Sequence, residues 1–224
     1  MKVVFQCAGE KQADAASLTL NGDVIEFLAR PAGETNQRCP WDLMPGSKKI
    51  WIDCVRDLAD NDGKMPDEFS RLGIGIGPGI LYEAGKLYAK PIYDRLVSQI
   101  YLDNVYILSA GWGLIRGSRK IPDYDVTFSQ SASPEKRVRP AARSRAAAIT
   151  DEIPGTDEIH LFITPNYADY WTSLKNTFGT RAILHWRTGQ RLPTGRYSRV
   201  QAHDCGEQRT NWQYKAATQF LDEV

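Results

Sequence analysis

Four short apolar runs, separated by long connections, constrain the fold of this 224-residue chain more than any other feature. Each is short enough for one buried strand, and they lie at 3–7, 104–109, 158–163 and 181–186. Between them stand stretches with helical periodicity, and such alternation is typical of parallel strands joined by helical crossovers. The sequence therefore predicts an α/β fold, a mainly parallel sheet flanked by helices, as a single domain over 1–224.

Two glycine-containing segments modify this plan. Asn21-Gly22 lies between two β-rich arms within 17–29 and predicts a hairpin at the edge of the sheet, because both residues tolerate positive φ. In "RLGIGIGPG", residues 71–79, the glycines alternate and Pro78 intrudes, so a phosphate-binding glycine motif is not met. A helix-hairpin-helix fits loosely, and a flexible turn before a helix fits better. Residues 30–79 as a whole are predicted as a loop-rich insertion.

The predicted helices follow from apolar spacing and from proline positions. Pro91 is expected to kink or divide one of them, and the stretch at 133–150 is basic. The helices are expected at 48–59, 80–102, 133–150, 164–178 and 206–224.

Composition limits the function. The formal net charge is +1, so a nucleic-acid contact requires local patches rather than overall charge. Four widely spaced cysteines and the absence of a leader-like or membrane-length apolar run indicate a cytoplasmic protein with reduced thiols and no membrane association. Cys39, Cys54, His203 and Cys205 match no zinc-module spacing, so neither a metal nor a cofactor is expected.

Two candidate binding loops follow predicted strands. Ligands of open α/β sheets bind beyond the carboxyl ends of the strands. After the first strand comes Cys7-Ala8-Gly9-Glu10-Lys11, and after the second comes Ser109-Ala110-Gly111-Trp112-Gly113. Parallel strands end at the same edge, so these loops are expected to lie side by side. Tyr124 and Asp125 should fold back over that edge, since Pro122 restricts the chain before them.

Four motifs in order along the chain resemble the YaaA-like superfamily, the group that includes the peroxide-stress proteins. "ILSAGWGLIRGSRKIPDYDVTF" resembles its Leu-Ser-Ala-x-Tyr-Gly-Leu segment and the Pro-x-Tyr-Asp that follows, with Trp112 where the group more often has Tyr. "CAGEK" resembles its Cys-x-x-x-Lys opening, and "LYEAGKLYAKPIYDRL" and "CGEQRTNWQYKAATQFL" resemble two of its helices. The resemblance implies a cytoplasmic α/β protein, with DNA binding in some members.

The first functional hypothesis is a protein that acts on a nucleotide, nucleoside or modified base, with a glycosidase-like or base-modifying reaction. Asp125 and Lys11 are the candidate catalytic residues, as a general base and a phosphate-holding cation. Trp112 is a candidate stacking face, although it equally fits a core aromatic. The candidate ligand-binding residues are Cys7, Ser109, Trp112, Gly113, Arg116 and Tyr124.

The alternative hypothesis is a non-catalytic DNA-binding protein of the stress response. It depends on a basic run that equally fits a solvated helix face. The run consists of Lys136, Arg137, Arg139, Arg143 and Arg145.

Overall fold

The computed structural model describes residues 1–139, 151–154, 158–174, 181–193, 197–206 and 211–224. Its strands, in chain order, are β1 (Lys2–Gln6), β2 (Leu18–Leu20), β3 (Asp23–Val24), β4 (Glu26–Phe27), β5 (Gln37–Arg38), β6 (Ile74–Ile76), β7 (Val105–Ser109), β8 (Gly113–Arg116), β9 (Ile159–Phe162), β10 (Ala182–Arg187) and β11 (Arg199–His203). Its α-helices are α1 (Trp51–Asp60), α2 (Asp67–Ser70), α3 (Pro91–Ile100), α4 (Pro165–Leu174) and α5 (Trp212–Glu223).

A six-stranded mixed sheet with the order β11-β10-β9-β1-β7-β8 forms the centre of the fold. All neighbouring strands run parallel except β7 and β8, which form an antiparallel hairpin. The four strands predicted from apolar runs are all present in it, so the prediction of a mainly parallel sheet is confirmed. Numbered along the chain, the five parallel strands have the order 2-1-3-4-5, which recurs in doubly wound α/β sheets.

Helices α3 and α5 pack against each other on one face of the sheet. On that face the ring of Phe5 lies edge-on to Tyr93 of α3, with centroids 5.2 Å apart, and stacks on Tyr214 of α5 at 5.8 Å. The chain steps from β1 to β7 in one direction and from β9 to β10 in the other. Right-handed crossovers therefore direct α3 and α4 to opposite faces.

The Asn21-Gly22 hairpin is confirmed, with φ of 52° and 91° at its two turn residues. Its position is corrected, because β2 and β3 do not join the main sheet. They form a separate three-stranded sheet with β6, in which Thr19 pairs with Gly75. The glycine-rich segment is thus partly a strand, and the prediction of a flexible turn there was wrong. Glycines suit this strand because a Cβ at Gly75 would lie 3.0 Å from the Thr19 hydroxyl.

The helix predicted from Lys48 is confirmed as α1, whereas the helix predicted over 80–102 is limited to Pro91–Ile100. Proline explains the shorter element. The ring of Pro91 suits the first helical turn and forces Lys90 into an extended conformation, with φ −121° and ψ 133°. The preceding residues instead form turns, in which Gly85 N–H donates to the carbonyl of Gly117.

The basic stretch at 133–150 is not helical over 133–139, where Arg137 forms a β-bridge with Thr127. Residues 140–150 lie outside the described residues, as does the predicted end of the 164–178 helix. The C-terminal helix is confirmed, beginning at Trp212. No helix among the residues described is both long and apolar enough to cross a membrane.

Candidate ligand cavity

A cavity of about 800 Å³ opens at the carboxyl ends of β1 and β9. These neighbouring strands feed crossovers that step in opposite directions, which makes their junction the topological switch point of the sheet. Ligands of doubly wound sheets bind at such a point. The lining comes from five parts of the chain: Gln6–Gly9 with Lys11; Asp125–Thr127 with Ser129, Ser131–Ser133 and Lys136; Thr164–Tyr167; Gln190; and Asn211, Trp212 and Tyr214.

The two strand ends at the base of the cavity are joined through Gln6. Its side-chain oxygen accepts a 2.6 Å hydrogen bond from the backbone N–H of Thr164, directly before α4. Its carbonyl accepts one of 2.6 Å from the Tyr93 hydroxyl. On the other side, Cys7 N–H donates to the Leu108 carbonyl at 3.0 Å. The strand ends predicted to lie side by side, at Cys7 and Ser109, are therefore adjacent.

One wall of the cavity is the segment 125–136, which begins where Tyr124 and Asp125 fold back over the strand ends as predicted. Asp125 N–H donates to the carbonyl of Phe27 at 2.9 Å, and this bond ties the start of the wall to β4. Thr127 N–H donates to Lys136 O at 2.8 Å, which closes the segment into a loop. Between these ties lie Ser129 and Ser131, whose hydroxyls are 2.8 Å apart.

Lys11 is held beside the cavity by two groups. Its Nζ lies 3.5 Å from Asp123 Oδ1 and 4.6 Å from the centre of the Tyr124 ring. Its side chain is only 9% exposed, so this ammonium is largely removed from bulk water. A cation in such a position interacts strongly with an entering anion.

Asp125 and Lys136 form an ion pair in the wall, with side chains 41% and 42% exposed. The hydrogen bond to the Asp125 carboxylate raises the pKa of Lys136. The Lys136 ammonium is therefore charged at neutral pH, and both side chains are open to a ligand. Each can exchange its partner for a ligand group at small cost, since exposed ion pairs are weak.

Below this surface, phenols surround the Cys7 thiol. Tyr167 OH lies 3.0 Å from Cys7 Sγ, while Tyr124 OH lies 2.7 Å from Tyr88 OH and accepts a 2.8 Å bond from the Ser109 hydroxyl. Burial raises the pKa of Tyr88, Tyr124 and Tyr167 well above the ordinary value. These phenols are consequently neutral and act as hydrogen-bond donors as well as acceptors.

Of the predicted site residues, Cys7, Lys11, Asp125 and Lys136 line the cavity, and Ser109, Trp112, Gly113, Arg116 and Tyr124 do not. Trp112 is fully buried between Phe27 and Tyr124, with ring centroids 4.9 and 5.5 Å away, so neither face is open to a base. Ser109 accepts hydrogen bonds from Gly111 N–H and Trp112 N–H, which fixes the turn between β7 and β8. Tyr124 acts on the cavity through Lys11.

Arg116 lies at the opposite end of the strands from the cavity. The β7–β8 hairpin reverses the chain, so Arg116 pairs with Tyr106 near the start of β7. Its guanidinium lies 6.0 Å from the Tyr106 ring centre, and its backbone N–H donates to the Asp151 carboxylate at 2.6 Å. It therefore cannot share a ligand with Lys11.

The basic run is divided. Lys136 faces the cavity, Arg137 donates to the Gln130 carbonyl at 3.0 Å, and Arg139 is exposed. Arg143 and Arg145 lie outside the described residues.

Sequence reasoning missed two sets of lining residues, one at Thr164–Tyr167 and the other at Asn211, Trp212 and Tyr214. The first set had a usable signal, because it follows the apolar run at 158–163 as Cys7 follows the first run. The second set had no such signal. It lies at the start of the last helix, and the sequence does not indicate which end of the sheet the start of that helix packs against.

No cluster of three or more His, Cys, Asp or Glu side chains within the described part of the chain is arranged to hold a metal ion. The fold and the cavity define an α/β protein with an open cavity at the switch point of its sheet. Comparison with protein families, curated proteins and solved structures finds no match for this chain.

Proposed function

We propose that the protein binds a nucleotide, nucleoside or modified base in the cavity at the ends of β1 and β9. The observation that carries this proposal is that Lys11 and Asp125 line one cavity at the switch point of the sheet. A volume of about 800 Å³ is in the range of ligand sites, roughly 300–1,000 Å³.

The chemistry of the lining differs between its parts. The 125–136 wall presents the hydroxyls of Thr127, Ser129 and Ser131 together with the Lys136 ammonium, groups that suit phosphate and ribose. The part from α5 and the loop after β10 presents the amides of Gln190 and Asn211 beside aromatic rings, groups that suit a heterocyclic base. A nucleoside phosphate matches both parts at once.

The reaction that fits this arrangement is hydrolysis of an N-glycosidic bond. The Asp125 carboxylate would accept a proton from water as the water oxygen bonds to the sugar carbon, and the base would leave with the bonding electrons and take up a proton. Lys11 would hold an anionic group of the substrate.

Titration calorimetry with nucleoside monophosphates, nucleosides, free bases and inorganic phosphate tests the binding. Asp125→Asn should weaken binding of the best ligand roughly tenfold or more, because it removes a charged hydrogen-bond acceptor. Asp222→Asn is the matched control, since Asp222 is paired with Arg95 on the surface of α5 and should leave affinity unchanged. If none of the four ligand classes binds, the proposal is wrong.

The alternative of a DNA-binding stress-response protein has a separate test. Replacing Arg137 and Arg139 with Ala should weaken DNA binding and flatten its dependence on salt, because neutralised phosphates release counterions. Nothing in the described residues favours it, because Lys136 already belongs to the cavity wall.

A further inference from the structure

All three histidines of the chain lie in one hydrogen-bonded row that crosses β9, β10 and β11. His160 Nδ1 is 2.9 Å from His185 Nε2, and His185 Nδ1 is 2.7 Å from His203 Nε2. The three rings are nearly excluded from solvent. The row lies apart from the cavity, and none of the three rings lines it.

Both ends of the row meet hydrogen-bond acceptors. At one end His160 Nε2 lies 3.2 Å from Glu158 Oε2. At the other, His203 Nδ1 lies 3.0 Å from Gln219 Oε1. The second contact of the Gln219 amide fixes its orientation. Gln219 Nε2 donates to the Asp204 carbonyl at 3.2 Å, and the amide oxygen could not take this place because it has no hydrogen to donate.

A count of hydrogens then constrains the row. Its four contacts need four N–H groups, whereas three neutral imidazoles supply three. We infer that the row is a proton-binding site: when neutral it leaves His160 Nε2 without a hydrogen, and on acidification one proton binds there and closes the contact with Glu158.

The nitrogen without a hydrogen is His160 Nε2, because the acceptors at the two ends of the row differ in how firmly they are held. Glu158 has a side chain that is 57% exposed and can turn into water, whereas Gln219 is held by Asp204. In the neutral row each ring therefore carries its hydrogen on Nδ1, and the donors point from His160 toward Gln219. The direction of all three tautomers is set by one amide.

The charged groups that face the row decide when the proton binds. Burial lowers the pKa of His160, against the attraction of Glu158. The Arg199 guanidinium of β11 and the amino group of Met1 beside β1 lower it further. From β10 the neighbour is His185, and α5 contributes the uncharged Gln219 and the ring of Phe220. Proton binding is consequently expected below neutral pH.

Long-range ¹H–¹⁵N spectra of the folded protein test this inference, which does not depend on what the cavity binds. At pH 8 all three rings should be Nδ1–H tautomers, and on acidification His160 Nε2 alone should gain a hydrogen. Glu158→Gln should move this titration down by about 0.5 pH or more, because a neutral amide cannot stabilise the imidazolium. Asp222→Asn serves as a control that leaves the titration in place.

Two results would overturn the inference. One is an Nε2–H tautomer at His203 or His185 at pH 8, which would reverse the row. The other is a His160 titration that Glu158→Gln leaves unchanged. The second variant is Gln219→Leu, which removes the acceptor that keeps the hydrogen of each ring on Nδ1. Histidine rings with the hydrogen on Nε2 should then appear at pH 8.

Discussion

The ammonium group of Lys11 lies 4.6 Å above the ring of Tyr124, and the hydroxyl of that ring is held from below by Ser109 at 2.8 Å. A residue at the surface of the cavity is therefore placed by a network that belongs to the core. Tyr88 completes the network at 2.7 Å from the Tyr124 hydroxyl. This arrangement separates the two roles of Tyr124, because its ring faces Lys11 and its hydroxyl faces the core.

Tyr124→Phe removes the hydroxyl and keeps the ring. We expect the free energy of unfolding to fall by roughly 1–3 kcal/mol, because Ser109 and Tyr88 lose a buried partner. Ligand affinity should fall less than in Tyr124→Leu, which also removes the ring beneath Lys11. Urea unfolding and calorimetry measure the two effects, and an equal loss of affinity in both variants would contradict this division.

Cys7 should be the most reactive of the four thiols, because it alone among the cysteines lines the cavity. Burial raises the pKa of Cys54 to about 12 and also raises that of Cys205, which keeps both protonated at neutral pH. Limited alkylation by iodoacetamide followed by peptide mass analysis should find Cys7 modified first. A bound ligand should slow it, and earlier modification of Cys54 would speak against an accessible cavity.

Gly79→Ala should destabilise the protein by roughly 1–3 kcal/mol. The φ of Gly79 is +113°, and an added Cβ would collide with the backbone of Asp14. Gly9→Ala is the control, since a Cβ at Gly9 has open space and should change stability little. Urea unfolding midpoints compare the two, and equal midpoints would show that the backbone at Gly79 adapts.

Stability should decrease on acidification below about pH 6.5, the ordinary histidine pKa. The pKa of His185 is lowered to about 2 by burial and, to a smaller extent, by the neighbouring rings of His160 and His203. On acidification the unfolded chain therefore binds a proton at this residue that the folded protein does not bind. The free energy of unfolding is highest above pH 6.5 and decreases as the pH falls. At pH 5 the neutral His185 accounts for a decrease of about 2 kcal/mol. Urea unfolding at pH 8 and pH 5 measures the loss.

The control for this pH response is His185→Phe, whose ring can keep the stacking on Phe162 at 4.1 Å. This variant loses hydrogen bonds and is less stable at every pH, but its stability should depend less on pH. A wild-type protein equally stable at pH 8 and pH 5 would contradict the lowered pKa of His185 in the folded protein.

The sequence predicted the features that depend on local patterns. Apolar runs predicted the four strands, and Asn21-Gly22 predicted its turn, because each depends on a few adjacent residues. The parallel direction of β1 and β7 then placed Cys7 next to Ser109 and brought Asp125 to the same edge. These steps needed only strand direction and strand adjacency.

The sequence could not predict features that depend on which distant segments meet. Arg116 was assigned to the site because it follows Trp112 closely in the sequence. The β7–β8 hairpin instead carries it to the other end of the strands, away from the cavity. Trp112 could be either a stacking surface or a core residue, and only the packing of Phe27 against it decides. The same holds for Trp212 and Tyr214, which reach the cavity from the last helix.

The connection from β8 to β9 runs from one side of β1 to the other and carries the cavity wall with it. The wall is tied by Asp125 N–H to the Phe27 carbonyl at its start and by Arg30 N–H to the Glu135 carbonyl near its end, and both partners lie outside the six-stranded sheet. Its length can therefore change without altering the register of any strand of that sheet. Variation in this one loop could therefore give a protein with the same sheet a different ligand. The shape of this side of the cavity and the register of the sheet depend on different parts of the chain, so the first can vary while the second is kept.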